Sequence, residues 1–599
     1  MHIRGSPGDL FTAYTADMPA NADLSRIFEQ MSKILELTGA NPFRVNAHGR
    51  VARILADLTV DVSQLADDPA KLTAIDGIGE ASAKKIVEYL KTGRVKERDE
   101  LLKEIPKGLL EVMEIPGLGP KTVKLMWERA GVTDVETLKA KLNTGELAQL
   151  PRMGTKTVQN IKESIEFIAL SGKRIRLGEA LPIAKQIVER LRGVKGTKQV
   201  ECAGSLRRGK ETIGDIDILA STANPEALSQ AFRAMAGVVK VLAAGETKSS
   251  VRLETGIQVD LRVIDEKSFG AALMYFTGSK QHNVLMRERA VKKDLRLNEY
   301  GLFAGAGRES ETPQSRGARP VAARTEQEVF AALALPWVPP EIREDRGEFE
   351  LTSTPNLIDL SDIKAELHAH TVASDGKMTI DQLALEAKAR GFHTVAVTDH
   401  SKSSIQANGL SADRLRDHIQ DVREANQRVK GITILAGSEV DILADGRLDY
   451  DDKLLAELDL VIASPHSALR QDATAATKRL LKAIKHPLVH ILGHPTGRLI
   501  NRREGLLPDI NGLIEAAVEY DTALEINANY LRLDLRDTHI RAAVEFGALL
   551  SINTDAHSPD HFDFLHYGIL TARRGWLTAD RCINAWSRQR LKDWLKSKR

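Results

Sequence analysis

Two carboxylates one residue apart, Asp215 and Asp217, lie in Gly214-Asp215-Ile216-Asp217-Ile218-Leu219. Their alternation with Ile216 and Ile218 predicts a strand with the acids on one face and the isoleucines on the other. Along a strand the two positions are roughly 6–7 Å apart. That suits two hard cations held between side-chain oxygens and phosphates. Two metals roughly 4 Å apart clamp the attacking and leaving oxygens of an in-line displacement. Asp260 offers a third carboxylate within a second alternating run, Ile257-Gln258-Val259-Asp260-Leu261-Arg262-Val263. If the two strands pair, the three acids converge at one sheet edge. Just upstream, Gly204 and Ser205 predict a turn or helix start whose N–H groups approach a phosphate. Arg207 and Arg208 add guanidinium groups able to hold phosphate bidentately.

A second constellation begins at residue 361. His368-Ala369-His370, Asp399-His400, Glu439, His466, His494, and Asp555 with His557 each follow an apolar run. Helical stretches such as Ile380–Arg390 and Ser411–Lys430 separate the runs, the latter with a serine placed to cap its start. Strand–helix alternation with polar residues at strand ends predicts a β/α barrel with one active face. Imidazole and carboxylate together suit zinc or manganese.

A third pattern repeats near the start. Ile75-Asp76-Gly77-Ile78-Gly79 and Ile115-Pro116-Gly117-Leu118-Gly119 each precede a lysine-bearing helix. Leu150-Pro151-Arg152-Met153-Gly154 is a weaker copy, with Arg152 in place of the first glycine. Such turns expose N–H groups at a helix N-terminus, where phosphate binds without sequence preference. Gly77, Gly79, Gly117, Gly119, Gly154, Lys84, Lys85 and Lys121 are therefore expected to contact DNA.

These elements need several domains, and 599 residues allow them. We expect a loose extension over 1–20 and helical domains over 21–95 and 96–172, whose glycine turns resemble helix-hairpin-helix motifs. A domain carrying the three acids on a mixed β-sheet follows over 173–265, then a further domain over 266–335. A proline-rich linker over 336–360 leads to a barrel over 361–599. Residues 302–325 read as an exposed loop. A net charge of +2 decides little, since a nucleic-acid protein is basic in patches. Two cysteines exclude a disulfide scaffold and fit a reducing cytoplasm. No apolar run approaches a membrane span, and the N-terminus carries no signal-peptide pattern.

The Gly204-Ser205, Arg207-Arg208-Gly209 and Gly214–Ile218 runs with Asp260 resemble the palm of the X-family DNA polymerases, the family of DNA polymerase beta. Tyr275-Phe276-Thr277-Gly278-Ser279, Asn283, Arg287 and Leu297-Asn298-Glu299-Tyr300-Gly301 resemble its thumb. The resemblance implies a fingers-like role for 96–172, a nucleotidyltransferase palm for 173–265 and a thumb for 266–335. It also implies Asp215, Asp217 and Asp260 as catalytic ligands of two Mg or Mn ions. It assigns Ser205, Arg208 and Gly214 to the triphosphate and places Gly278 in the nucleotide site. Tyr275 and Phe276 would line the sugar, Asn283 the base edge and Arg287 the template side. Two positions depart from the pattern. Ile213 stands where polymerase beta carries a phosphate-binding serine, and Gln258 replaces an arginine. Lys85 falls where that enzyme's Schiff-base lysine lies; a plain phosphate contact is the alternative.

The C-terminal pattern resembles the PHP domain, a distorted (β/α)7 barrel. That resemblance implies nine ligands, His368, His370, Asp375, His400, Glu439, His466, His494, Asp555 and His557, for up to three Zn or Mn ions. Glu439 would bridge two of them, and Arg498 and Arg532 are candidates to hold substrate phosphate. The whole order resembles bacterial family X DNA polymerase. It implies a repair enzyme that fills short gaps in primed DNA from deoxynucleoside triphosphates. Its PHP site would trim 3′ ends, with abasic-site incision as a further activity implied for the family. The expected enzyme is cytoplasmic, monomeric and free of membrane contact. Two other classes compete: a nucleotidyltransferase fused to a small-molecule phosphatase, and a non-catalytic DNA-binding scaffold.

Overall fold

The computed structural model describes residues 20–57, 62–65, 69–75, 77–113, 115, 118–151, 153–154, 158, 161, 174–305, 313 and 317–598. The expected extension over 1–20 lies outside this set except for its last residue. So do Asp76, Gly117, Arg152 and much of the 302–325 loop. The chain divides into two compact units, residues 1–172 and 173–599.

The first unit is helical. Helices Ala20–Thr38 and Pro42–Asp57 are separated where Gly39 turns left-handed, the break expected from Gly39 and Asn41-Pro42. One apolar cluster runs from Leu24 to Ile161, so the two helical segments expected over 21–95 and 96–172 share a core.

The second unit begins with a five-stranded mixed sheet. Its order is Thr197–Cys202, Asp215–Thr222, Gln258–Val263, Lys248–Leu253, Val238–Ala243. Asp215–Thr222 and Gln258–Val263 pair in parallel, with Asp217 opposite Asp260. They are the second and third strands, so the acids lie across the sheet's interior and not at its edge. Ile216, Ile218, Val259 and Leu261 are fully buried, which requires neighbours on both sides of this pair.

The barrel has seven parallel strands in sequence order: Ala365–Glu366, Thr394–Val397, Thr433–Asp441, Leu460–Ser464, Ile491–Leu492, Ala523–Asn527 and Leu550–Asn553. First and last strands do not pair along their length. At the mouth a bridge between Ala369 and Ala556 joins them. Lower down, Asn584 donates to Ala365 O and Asn553 Oδ1 and accepts from Ile552 N, filling the seam.

The expected linker is packed. Arg343 and Glu348 are fully buried, Arg343 against Glu326 and Glu348 against His282 at 2.9 Å. Ile358 N donates to Leu577 O in the barrel. Prolines here fix an extended path, and the charges are paired inside it. Among the described residues no helix is long and apolar enough to cross a membrane.

Candidate active sites

The palm site is built on the turn before the Asp215 strand and on the strand's first residues. Gly204 has φ +62°, and a Cβ there would stand 2.3 Å from Asp217 Oδ2. Glycine is required twice: for the left-handed backbone and for the carboxylate's approach. Ala203 N donates to Asp217 O at 2.8 Å, tying the turn to the strand. Burial, then the charges of Asp215 and Asp260, push the Asp217 carboxyl up to about 7. Burial and Asp260 raise Asp215 as well, against the opposing pull of Arg174. Two carboxylates that resist ionising, set beside a third, are a donor set that asks for cations. Gln258 Nε2 donates to Asp260 Oδ1 at 2.9 Å, and Lys248 Nζ lies 3.6 Å from Asp260 Oδ2. The glutamine that replaces the expected arginine thus orients the third acid. Ile213 is fully buried in the apolar core, so no phosphate ligand stands there.

Arg208 is near this site but engaged, with Nε on Glu344 at 3.0 Å and Nη1 on Thr277 O. Arg207 is turned away to Glu326 at 2.7 Å. Ser205 is the second residue of the short helix Gly204–Arg207, and Gly214 precedes Asp215 under the Arg174 guanidinium. Tyr275 and Phe276 meet edge-on at 5.2 Å, and Arg262 lies 4.3 Å over the Phe276 ring. Asn283 Nδ2 donates to Tyr275 O, while its Oδ1 is buried without a hydrogen-bond partner. Arg287 is exposed. Arg174, which also bonds Thr212, was not foreseen.

In the barrel all nine expected ligands meet at one mouth. Glu439 is at the centre: Oε1 faces His494 Nε2 at 2.8 Å, His466 Nε2 at 3.2 Å and His368 Nε2 at 3.4 Å. Its Oε2 faces His400 Nδ1 at 2.8 Å and His370 Nε2 at 3.8 Å. Three groups have metal-binding proximity: His370, Asp375, His400, His557; His368, His370, Asp555; and His400, Glu439, His466. His368 Nε2, His370 Nδ1, His400 Nδ1, His494 Nδ1 and Glu439 Oε2 are buried with no hydrogen-bond partner. Buried polar atoms left unpaired in such number are costly. Divalent ions would satisfy those that face the carboxylates of the mouth, so the donor set fits divalent metal ions.

The surrounding groups fix which imidazole nitrogen faces inward. His368 Nδ1 donates to Glu525 Oε1 at 2.7 Å, leaving Nε2 toward Glu439 and Asp555. Glu525 Oε2 also accepts from His494 N at 2.7 Å. His466 Nδ1 bonds Asp441 at 2.9 Å. Asp399 accepts from Thr371, Ser374 and His418 and so shapes the loop that carries Asp375. Burial opposes charge on His466 and His557, yet the facing carboxylates raise them to about 10 and about 9. Burial beside His400 and His557 lowers His370 to about 4. His494 and Asp555 hold positive φ, +21° and +54°, strained backbone at two ligands.

Of the two arginine candidates, Arg532 stays at the mouth, its Nε 4.0 Å from Asp555 Oδ2. Arg498 is spent elsewhere, on Glu211 at 2.7 Å and on Leu533 O. Glu525 and Asp441 were missed in the sequence, and Asp399 was noted there only beside His400, without its Thr371, Ser374 and His418 partners. A glutamate inside the apolar strand Ala523–Asn527 was the available signal, since burying it needs a partner.

In the helical unit, Gly79 and Gly119 are the residues just before helices Glu80–Thr92 and Pro120–Ala130. A Cβ on Gly79, Gly119 or Gly154 would meet nothing within 4 Å, so these turns are open to an approaching group. Gly77 has φ +87° beside Arg50. Lys84 and Lys121 are exposed. Lys85 is turned inward, 2.9 Å from Glu97, which also holds Arg44 at 2.6 Å.

Comparison with known proteins gives the same order of parts. Family models match as helix-hairpin-helix domain (19–95), SAM-like helix-hairpin-helix tandem (109–166), DNA polymerase beta palm (174–272), DNA polymerase beta thumb (272–344) and PHP domain (366–529). A probable phosphatase of Caldanaerobacter subterraneus is 30% identical over 203 residues, 32% of this chain and 75% of its own. DNA polymerase lambda of Rattus norvegicus is 26% identical over 290 residues, 45% of this chain and 48% of its own. The DNA polymerase/3′-5′ exonuclease PolX of Bacillus subtilis is 38% identical over 577 residues, 96% of this chain and 99% of its own. With two separate carboxylate and imidazole centres and that near-complete coverage, the chain belongs to the PolX family of DNA polymerase/3′-5′ exonucleases.

Proposed function

We propose that the protein is a DNA repair polymerase that fills short gaps by template-directed nucleotidyl transfer and trims 3′ ends in its barrel. One observation carries this reading: a single chain assembles two donor sets, Asp215/Asp217/Asp260 and the nine barrel ligands, that share no residue. Bound divalent ions supply Lewis acidity, toward primer hydroxyl and pyrophosphate in the palm, and toward water and a phosphodiester in the barrel. Mg or Mn suits the all-carboxylate palm, and Zn or Mn the imidazole-rich barrel.

The protein's own groups position the reactants. Gly204 lets Asp217 approach the phosphate-binding turn, and Gln258 fixes Asp260. Ser205, Arg208 and Gly214 hold the triphosphate; Tyr275, Phe276, Gly278 and Asn283 line the nucleoside; Arg287 faces the template. In the barrel Glu439 would serve two ions when they are bound, Glu525 fixes the His368 tautomer, and Arg532 would hold the phosphate of the 3′ end. The open hairpin turns at Gly79, Gly119 and Gly154, with Lys84 and Lys121, hold DNA through its backbone. One chain supplies both donor sets, so a monomer suffices. Unpaired Cys202 and Cys582 fit a reducing cytoplasm.

A phosphatase acting on small molecules leaves the hairpin turns without a role, and a scaffold leaves both donor sets without one. The test supplies the full chain with gapped DNA and deoxynucleoside triphosphates, and separately with a 3′-tailed duplex alone. Extension in the first and shortening in the second are expected. Failure of both, with free phosphate released from a small phosphomonoester, would replace this reading by the phosphatase.

A further inference from the structure

The palm's phosphate-binding turn is seated on a helix of the barrel part, Leu565–Arg574. A Cβ on Gly209, which has φ +64°, would stand 3.1 Å from Leu570 Cβ. Arg574 Nη1 donates to Arg208 O at 2.7 Å. The same nitrogen donates to Glu344 Oε1 at 2.9 Å, and that oxygen accepts from Arg208 Nε at 3.0 Å. Asp537 Oδ2 completes the chain. It accepts from Arg574 Nε at 3.0 Å, Arg574 Nη2 at 2.7 Å and Arg346 Nη1 at 3.1 Å. The Arg574 side chain is 3% exposed and that of Glu344 10%, so these pairs are little screened by water.

This arrangement leaves Arg208 one free edge. Nε is held by Glu344 and Nη1 by Thr277 O, and among the described residues Nη2 makes no hydrogen bond. Asp537 balances the charge of Arg574, so the carboxylate of Glu344 remains available to Arg208. We propose that Glu344 and the barrel-borne Arg574 are positioning residues of the palm site. They hold Arg208 with Nη2 presented to the incoming triphosphate, so the PHP part of the chain sets nucleotide affinity in the polymerase part. The proposal rests on the reading that Arg208 binds triphosphate. An arginine already fixed in its binding rotamer loses little freedom when the ligand arrives. Releasing it weakens the ligand by about tenfold, the scale of one arginine's rotamer entropy.

The test uses the full chain on gapped DNA with one deoxynucleoside triphosphate titrated. Arg574→Lys and Glu344→Gln should each raise KM for the nucleotide about tenfold while kcat stays within about threefold. The 3′-end trimming rate should match wild type, since neither residue touches the barrel ligands. In an Arg208→Lys background, Arg574→Lys should add nothing further to KM. Unchanged KM in both single variants overturns the proposal. So does an equal KM increase in both backgrounds, or a joint fall of kcat, trimming and thermal midpoint, which marks a merely structural role. If Arg574→Lys does not fold, Glu344→Gln decides alone. If Arg208→Lys by itself leaves KM unchanged, the triphosphate role of Arg208 fails and the proposal falls with it. If Arg208→Lys raises KM and the other two do not, only the proposal falls.

Discussion

Replacing Gly204 by alanine adds one carbon at the most crowded point of the palm. The new Cβ would lie 2.3 Å from Asp217 Oδ2, where real Cβ contacts essentially never fall below 3.0 Å. The carboxylate must retreat by about 0.7 Å, well beyond the roughly 0.2 Å tolerance of a metal–ligand distance. Mg²⁺ demands near-ideal octahedral geometry and tolerates this poorly. Displacements near 1 Å at a reacting centre cost on the order of 100-fold in rate. The left-handed φ of +62° adds roughly 1–2 kcal/mol of backbone strain once a side chain is present. Gly204→Ala should therefore lower single-turnover gap filling about 100-fold and raise the Mg²⁺ concentration needed for half-maximal rate. The protein should lose about 1–2 kcal/mol of stability, and 3′-end trimming should keep its wild-type rate. Gap filling within threefold of wild type in this variant would refute the argument that Gly204 makes room for Asp217.

Three further outcomes follow from the same geometry. Because burial and its acidic neighbours hold Asp217 at about 7, the folded metal-free protein binds more protons than the unfolded chain between about pH 4 and 7. Stability from this group thus falls as pH rises through that window. Asp217→Asn should stabilise the metal-free protein by about 2 kcal/mol at pH 8 and by almost nothing at pH 4. Denaturant titrations in chelator that show no gain at pH 8 would contradict it. Glu525→Gln should weaken metal retention in the barrel about 10–100-fold, read by metal analysis after dialysis, with gap filling intact. Gly79→Val with Gly119→Val should leave the helical unit folded, since neither Cβ meets an atom within 4 Å. It should weaken gapped-DNA binding about tenfold whatever the sequence, a loss absent if the turns do not face phosphate.

What could be read in advance was the part with a period or a repeated context. Alternation placed Asp215, Asp217 and Asp260 on one face, and the parallel register of Asp217 with Asp260 agrees. Polar residues at successive strand ends located the barrel mouth. What escaped were partners distant in sequence. Glu525 serves His368 across 157 positions and Asp441 serves His466 across 25; a glutamate in an apolar strand signals that Glu525 needs a partner, but no local pattern says which residue either one serves. The 336–360 stretch read as a linker because prolines and charges look solvated. Its Arg343 is instead buried on Glu326 and its Glu348 on His282, pairs visible only after folding. For the same reason Arg498 looked like a phosphate ligand, although Glu211 of the palm claims it.

Two independent metal centres in one chain are expected to perform two reactions. The direct measurement crosses two variants with two assays: Asp217→Ala, and His368→Ala with His370→Ala, each tested for gap filling and for 3′-end trimming, with folding checked by circular dichroism. His368 and His370 together supply donors that the remaining barrel ligands do not replace, so metal content should fall with the trimming. Asp217→Ala should lose gap filling and keep trimming, while the double histidine variant should lose trimming by orders of magnitude and keep gap filling. A folded double variant that still trims at the wild-type rate, or a folded Asp217→Ala that loses both activities, would contradict that independence.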